Sequence, residues 1–516
     1  MQRLPTLSRR AFIHGLGLAG ITGSGALDPY LSPEPIHAIG AAAQLPGEVV
    51  IDVTGGPDNL DPALTRSSRD WSILHSIYDA LVQIGPEGQL VPLAAERFDV
   101  LDDRTYDVAL RPGLLFHDGT PVTSQAISRS ISHVQQSEGP AARNFAIVTN
   151  VELIDDLTAR IVTGEPAPWL PSQLAVWAVL FAERMTPDGF QKAPVGSGPF
   201  RFESHEAGNE VVLVRNPDYT WGSPKGSALA ERVRFRVVPD PATRVADLAT
   251  GTANLIVNVP EEQREEVQAG GGSIEEAAIL GSLFLRIATD VPPFDDPRVT
   301  RAINHAVDVA TIAVSLAGAE SRRLASLYPD ARSIGFDPEL APFAFDPTSA
   351  RALLAEAGYP DGFDVRLEYV AGERADILQA IAANLGEIGI SVAIESVDLA
   401  TFNGTWTAPD SAPLRLVSWR PIHDPHTLLS LMFASTGPLS RHQDPRADQL
   451  IASAASESDP ERRAGLYREL GRQFQQVPPA LFLWNLTSVY GVRDFGAGWS
   501  PRGDDYVIPT STEEKS

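Results

Sequence analysis

Aspartate followed directly by proline opens what reads as a helix at 240–241, 296–297, 346–347 and 424–425, and this pairing does most to narrow the possible folds. The carboxylate accepts hydrogen bonds from the free N–H groups of a helix start, while the proline ring has the dihedral angle that the first helical residue needs. Around the first pair, Val233 to Val238 reads as a strand, Gly251 stops the helix, and Asn254 to Asn258 returns as a second strand. After Asp296-Pro297, the residues Val299, Ile303, Ala306, Val307, Ala310 and Val314 form an apolar stripe at helical spacing. The third helix runs through Leu353-Leu354 and ends at Gly358, and the strand FDVRLEYV and a helix–strand pair from Ile377 to Val397 follow it. Such alternation of strand and helix predicts an α/β fold.

The stretch Val195 to Gly222 is the other strong local signal. Gly196, Gly198 and Pro199 make a turn, Phe200 to Ser204 alternates, Ala207-Gly208-Asn209 reverses the chain, and Val211 to Val214 returns as the second strand of a hairpin. Upstream, Val49 to Val53 reads as a strand, and Ile73, Leu74, Ile77 and Leu81 read as one face of a helix. Tyr106, Val108 and Leu110 alternate as a strand, and His117-Asp118-Gly119-Thr120 reads as a turn before a helix starting near Thr123. Gly270 to Gly272 suggests a linker, with Leu283 to Ile287 entering the next sheet as a strand. A helix from Pro460 to Gln476 and a strand from Ala480 to Val492 close the chain.

At 516 residues the chain exceeds what one core of ~250–300 residues can serve, so at least two domains are expected. A net charge of −25 argues against nucleic acid or an anionic membrane surface as partner, and the absence of cysteine removes disulfides and thiol chemistry. Near the start, Ser8-Arg9-Arg10-Ala11-Phe12-Ile13 resembles the twin-arginine export motif, with a weakly apolar run from Ala11 to Leu27 and small residues at Ala41-Ala42-Ala43. The GxGxxG spelled by Gly15 to Gly20 has no preceding strand and does not read as a dinucleotide site.

Several of these stretches together resemble family 5 solute-binding proteins of ABC transporters, the peptide/nickel group. The resemblance is carried by VGSGPF with NPDYTWG, by TYDVALRPGLLFHDGTP, by PDPATRVADLATGTAN and by DPTSARALLAEAGYPDGF. It implies an α/β fold: a two-lobed periplasmic-binding-protein clamshell of mixed sheets with flanking helices, plus an extra small α/β domain inserted in the first lobe. The expected division is 1–43 signal peptide, 44–80 first lobe, 81–190 inserted domain, 191–275 first lobe, 276–476 second lobe and 477–516 first lobe again. The implied function is capture of a small organic solute, peptide-like or another metabolite, between the lobes and delivery to an ABC permease in the inner membrane. A nickel or metal-chelate binder of the same family is the alternative. The protein is expected to be periplasmic and monomeric, with no cofactor, no nucleic-acid partner and no enzymatic step. A hydrolase reading finds neither GxSxG nor HExxH; a receptor-docking sensor stays open.

Recognition chemistry concentrates where the strand Leu416 to Trp419 ends and Arg420 to His426 follows. Trp419, Arg420 and His423 offer an indole, a guanidinium and an imidazole on one loop and are expected to touch the ligand. Peptide-binding relatives carry an aspartate three residues after this tryptophan, and here that position is Ile422, which argues against a peptide amine held there. The spacing Trp-x4-Asp-Pro-His resembles nickel-binding members, with His423, His426 and His442 nearby, but no metal ligand set is legible. Asp424 reads as a helix cap ahead of a ligand. Arg66, Trp71 and Arg143 complete the expected ligand contacts, and Trp71 has a second reading as a core residue of its helix.

Overall fold

The computed structural model describes residues 46–57, 59–65, 70–85, 88–318, 321–372, 374–420 and 422–511. The twin-arginine motif, the apolar run behind it and the GxGxxG match lie outside the described residues. Among those described, ten strands form one sheet, ordered Ile390–Val397, Phe363–Val370, Leu414–Trp419, Ser273–Ile287, Ala480–Val492, Leu255–Val257, Glu48–Val53, Arg232–Val237, Glu210–Arg215 and Phe200–Glu206. Each half of the sheet has its own core. Val49, Ile51, Val233 and Phe235 pack beneath one half with Leu74 and Ile77, while Leu285, Leu367, Ile390 and Leu416 pack against Ile303 and Ile381 beneath the other. A fully buried set around Phe284, Met432, Phe433 and Phe474 extends the second half.

Two long strands join the halves. Ser273–Ile287 runs antiparallel to Ala480–Val492, from Ser273 opposite Val492 to Arg286 opposite Ala480, with register shifts between Ala278 and Phe284. The sequence suggested a glycine linker and a strand only from Leu283. In the structure Gly270 to Gly272 merely end the Arg264–Ala269 helix, and the strand is already under way at Ser273. Glu275 and Glu276 are exposed, so no apolar alternation announces this segment. Pairing with a strand from the far end of the chain makes it β.

The third unit is a four-stranded antiparallel sheet, ordered Ala95–Val100, Thr105–Leu110, Thr158–Thr163 and Val148–Leu153. The Ser124–Gln136 helix packs on it around Tyr106, Val108, Ile127, Ile131, Phe145 and Ile161. The turn at His117 to Thr120 is as expected: Gly119 takes φ +82° and Asp118 accepts from the Thr120 amide. His117 donates across to the Gly198 carbonyl at 3.1 Å.

Three of the four Asp-Pro starts form as expected, whereas Pro425 stands just before a helix of only three residues, His426–Leu428. Asp240 accepts from the Thr243 amide, Asp296 from Arg298 and Asp346 from Ser349, each with proline first in its helix. One stripe proved to be two helices, Pro297–Ala306 and Val309–Ala317, because Asp308 caps a new start through the Thr311 amide and hydroxyl. Val314 consequently faces outward, 54% exposed. His305 is half-buried, with its Nδ1 2.9 Å from the Ala344 carbonyl.

The first-half helix is shorter than its stripe, Trp71–Ile77, and the hairpin explains why. The Gly198 amide donates to the Ile77 carbonyl at 2.9 Å, and a Cβ at Gly196 would stand 2.2 Å from that same oxygen. Only glycine admits so close an approach. Next in the chain, Asp79 is buried and paired with buried Lys225 at 2.8 Å. Lys225 also donates to the carbonyls of His75 and Tyr78, both at 2.7 Å, while the Tyr219 hydroxyl donates to Asp79 at 3.1 Å and Ser197 lies at 3.5 Å. The signature residues of the hairpin therefore converge on one buried carboxylate. Burial raises the Asp79 pKa and lowers that of Lys225, each opposed by the other's charge. Removing one partner strands the other charge, so Lys225→Met is expected to cost about 3–5 kcal/mol in urea unfolding. The double variant Asp79→Asn with Lys225→Met should recover most of that loss.

A candidate ligand cavity at the seam

The Leu414–Trp419 strand delivers the chain to a loop that is tightly held. The Ile422 amide donates to the Leu280 carbonyl at 2.6 Å, and Ser333 donates its hydroxyl to the Ile422 carbonyl. The Ile422 side chain is 1% exposed and belongs to the core. His423 places Nδ1 3.2 Å from the Arg332 carbonyl. Asp424 both caps and pairs: it accepts from the His426 amide at 3.0 Å and meets the Arg463 guanidinium at 2.6 and 3.0 Å, fully inside. Burial alone would raise the Asp424 pKa, but the charge and hydrogen bonds of Arg463 hold it below the ordinary carboxylate value.

Behind Asp424 the chain forms a short turn, His426–Leu428, and then one wide π-type turn, Leu429–Phe433. Such turns recur at functional sites because they redirect side chains that an α-helix would align. Here the His426 ring stacks on Trp169 of the antiparallel unit, with centroids 4.2 Å apart and planes within 9°. Asn144 reaches the same seam, donating to Gln173 at 3.2 Å and to the Thr427 hydroxyl at 3.4 Å. A cavity of about 200 Å³ lies between them, lined by Arg143, Asn144, Trp169, His426, Ser430 and their neighbours Ile147 and Leu431. His426 Nδ1 is buried without a hydrogen-bond partner among the described residues, while Arg143 is exposed. The cavity thus combines a flat aromatic wall and one guanidinium beside a buried imidazole.

Of the residues expected to touch a ligand, Arg143 alone lines this cavity, and Arg66 lies outside the described residues. Trp419 is half-buried against the second-half core. Arg420 approaches Asp505 with Nε 3.3 Å from the carboxylate, and Asp505, at φ +67°, also accepts from the Tyr490 hydroxyl at 2.9 Å. Trp71 is 4% exposed and meets Trp177 edge-on at 4.9 Å in the first-half core. His442 turns away to the Thr289 hydroxyl at 3.0 Å, and among the described residues no group of three His, Asp or Glu is placed to hold a metal. Trp169 and Asn144 gave no signal in the sequence, because both read as ordinary residues of the inserted region.

A sheet in two halves joined by paired crossover strands, an antiparallel insertion, and a cavity where insertion and second half meet define a two-lobed solute-binding protein. Residues 89–439 match the family model of bacterial extracellular solute-binding proteins, family 5 (middle), and the chain belongs to that family, whose members serve ABC importers. It is 26% identical over 462 residues to the glutathione-binding protein GsiB of Pectobacterium atrosepticum, covering 84% of this chain and 88% of that one. Its fold is similar to that of CtaP from Listeria monocytogenes, with TM-score 0.80 and 20% identity over 91% of this chain and 100% of the other. It is also similar to DppA from Helicobacter pylori in complex with the peptide STSA, with TM-score 0.78 and 22% identity over 90% and 97%.

The stacked histidine sets a pH dependence. Burial lowers the His426 pKa to about 4, with the nearby Asp424 charge opposing the shift. A pKa below the unfolded value means that its contribution to stability is complete above about pH 6.5 and is lost as pH falls toward 4. That loss is on the order of 2–3 kcal/mol. In His426→Phe, the drop in unfolding free energy between pH 7 and 4.5 should shrink by about that amount; an identical drop in both proteins would refute the assignment.

Proposed function

We propose that the protein captures a small organic solute, peptide-like or another metabolite, at the seam between its lobes and hands it unaltered to an ABC import permease. The single observation that carries this reading is the cavity at the Trp169–His426 stack, where a guanidinium, an imidazole ring and an amide converge from two different parts of the fold. No carboxylate among the described residues lines it, which favours a solute presenting its own acid group. The name of a relative that binds glutathione, a peptide with free carboxylates, is in keeping with that preference. The stack is worth about 0.5–1.5 kcal/mol, small beside the continuous crossover ladder, so opening and closing about the crossover strands is the motion we infer. Trp419, Arg420 and His423 then act by holding the 422–426 loop in place. The protein works as a monomer, with the boundaries 44–80, 81–190, 191–275, 276–476 and 477–516.

A metal chelate is the second reading, and the unpartnered Nδ1 of His426 is what favours it. Mass spectrometry of small molecules released from the purified protein, with metal analysis of the same sample, separates the two. Arg143→Ala is expected to weaken binding of the released solute at least tenfold by calorimetry with an unchanged melting temperature. Equal affinity would remove Arg143 from the site.

Export is proposed to follow the twin-arginine route into the periplasm. Arg9→Lys combined with Arg10→Lys should leave the precursor in the cytoplasm, as read by fractionation and immunoblot, and a normal periplasmic yield would rule that route out.

A further inference from the structure

A larger groove, about 550 Å³, opens beside the smaller cavity, between the antiparallel unit and the second lobe. Its volume lies within the ~300–1,000 Å³ of organic ligand sites. The walls are apolar: Tyr106, Pro168 and Pro171 on one side face Ile334, Phe336 and Pro460 on the other. Val100, also in the wall, leaves 62% of its surface uncovered, an unusual exposure for an apolar side chain beside a cavity.

The charges are divided by wall. Asp102 and Asp103 stand at the hairpin turn of the antiparallel unit, and Arg463 and Arg468 stand on the Pro460–Gln476 helix opposite. Arg463 is spent, since Asp424, the Ala454 carbonyl and the Tyr467 hydroxyl take its donors. Arg468 has no hydrogen bond or ion pair among the described residues. The nearest cation to Asp103 is its own neighbour Arg104, at 3.9 Å. The opposed charges therefore do not neutralise each other across the gap.

We propose that this groove is a second binding site, for a zwitterionic molecule with an apolar body, its amine on the Asp102–Asp103 turn and its acid on Arg468. The site shares structure with the smaller cavity. Pro168 and Pro171 flank Trp169, and Arg463 in the groove holds the Asp424 carboxylate that accepts from the His426 amide. A molecule spanning both walls stabilises only the arrangement in which the walls face each other. Its occupant therefore favours the closed seam. The inference rests on the two-lobed reading but not on solute binding by Arg143.

The test is calorimetry with the dipeptide Leu-Leu as probe. The wild-type protein should bind it, and Arg468→Ala should weaken binding at least tenfold while Arg143→Ala leaves it within twofold. The C-terminal amide of the probe should bind the wild type as weakly as the free dipeptide binds Arg468→Ala. N-acetylation should reproduce the loss seen in Asp102→Asn with Asp103→Asn. Arg468→Gln, which keeps the side chain's length, serves if Arg468→Ala melts early. Absence of wild-type binding, or affinity unchanged in both Arg468 variants, overturns the proposal. Loss of Leu-Leu binding in Arg143→Ala alone also overturns it, by assigning the probe to the smaller cavity and leaving the solute reading intact.

Discussion

The antiparallel pairing of Ser273–Ile287 with Ala480–Val492 is the constraint on which the rest of the structure depends. At one end the second strand bonds Leu255–Val257 of the first lobe, and at the other the first strand bonds Leu414–Trp419 of the second. A backbone ladder that passes from one core into the next connects the lobes. It also sets where the strand ending at Trp419 leaves the sheet, because Trp419 sits opposite Ser282, next to the register shift at Ser282.

Buried ion pairs supply the local precision that apolar packing alone would not. Asp79 with Lys225, Asp424 with Arg463 and Glu368 with Arg415 are each at least nine-tenths inside. Such pairs gain little net stability over apolar replacements, because desolvation offsets their attraction. Their directional demands are what matter here. Asp79 gathers Tyr219, Ser197 and Lys225 around the end of the first-lobe helix, and Asp424 sets the amide of His426 at the seam. Arg415 also lies against two rings, 4.2 Å from the Phe402 ring centre and 5.1 Å from that of Trp406.

The seam itself is lightly bonded. Among the described residues, one stacked ring pair and a 3.4 Å hydrogen bond from Asn144 to Thr427 join the antiparallel unit to the 426–431 turn, and cavities lie among these contacts. The His426 Nδ1 there is buried without a hydrogen-bond partner among the described residues.

Local chemistry was legible from residues alone wherever one element's neighbours in sequence are also its neighbours in space. The Asp-Pro helix starts, the Phe200–Arg215 hairpin, the strand ending at Trp419 and the closing helix and strand all follow from capping, turn and periodicity rules. The family signature was visible for the same reason. Tertiary structure alone decided that Ser273 begins a strand, that Asp308 divides a stripe into two helices, and that Ile422 is sealed in the core while Arg143 and His426 line one cavity. Those outcomes depend on pairing register and desolvation between segments distant in the chain, and no local pattern of residues encodes either.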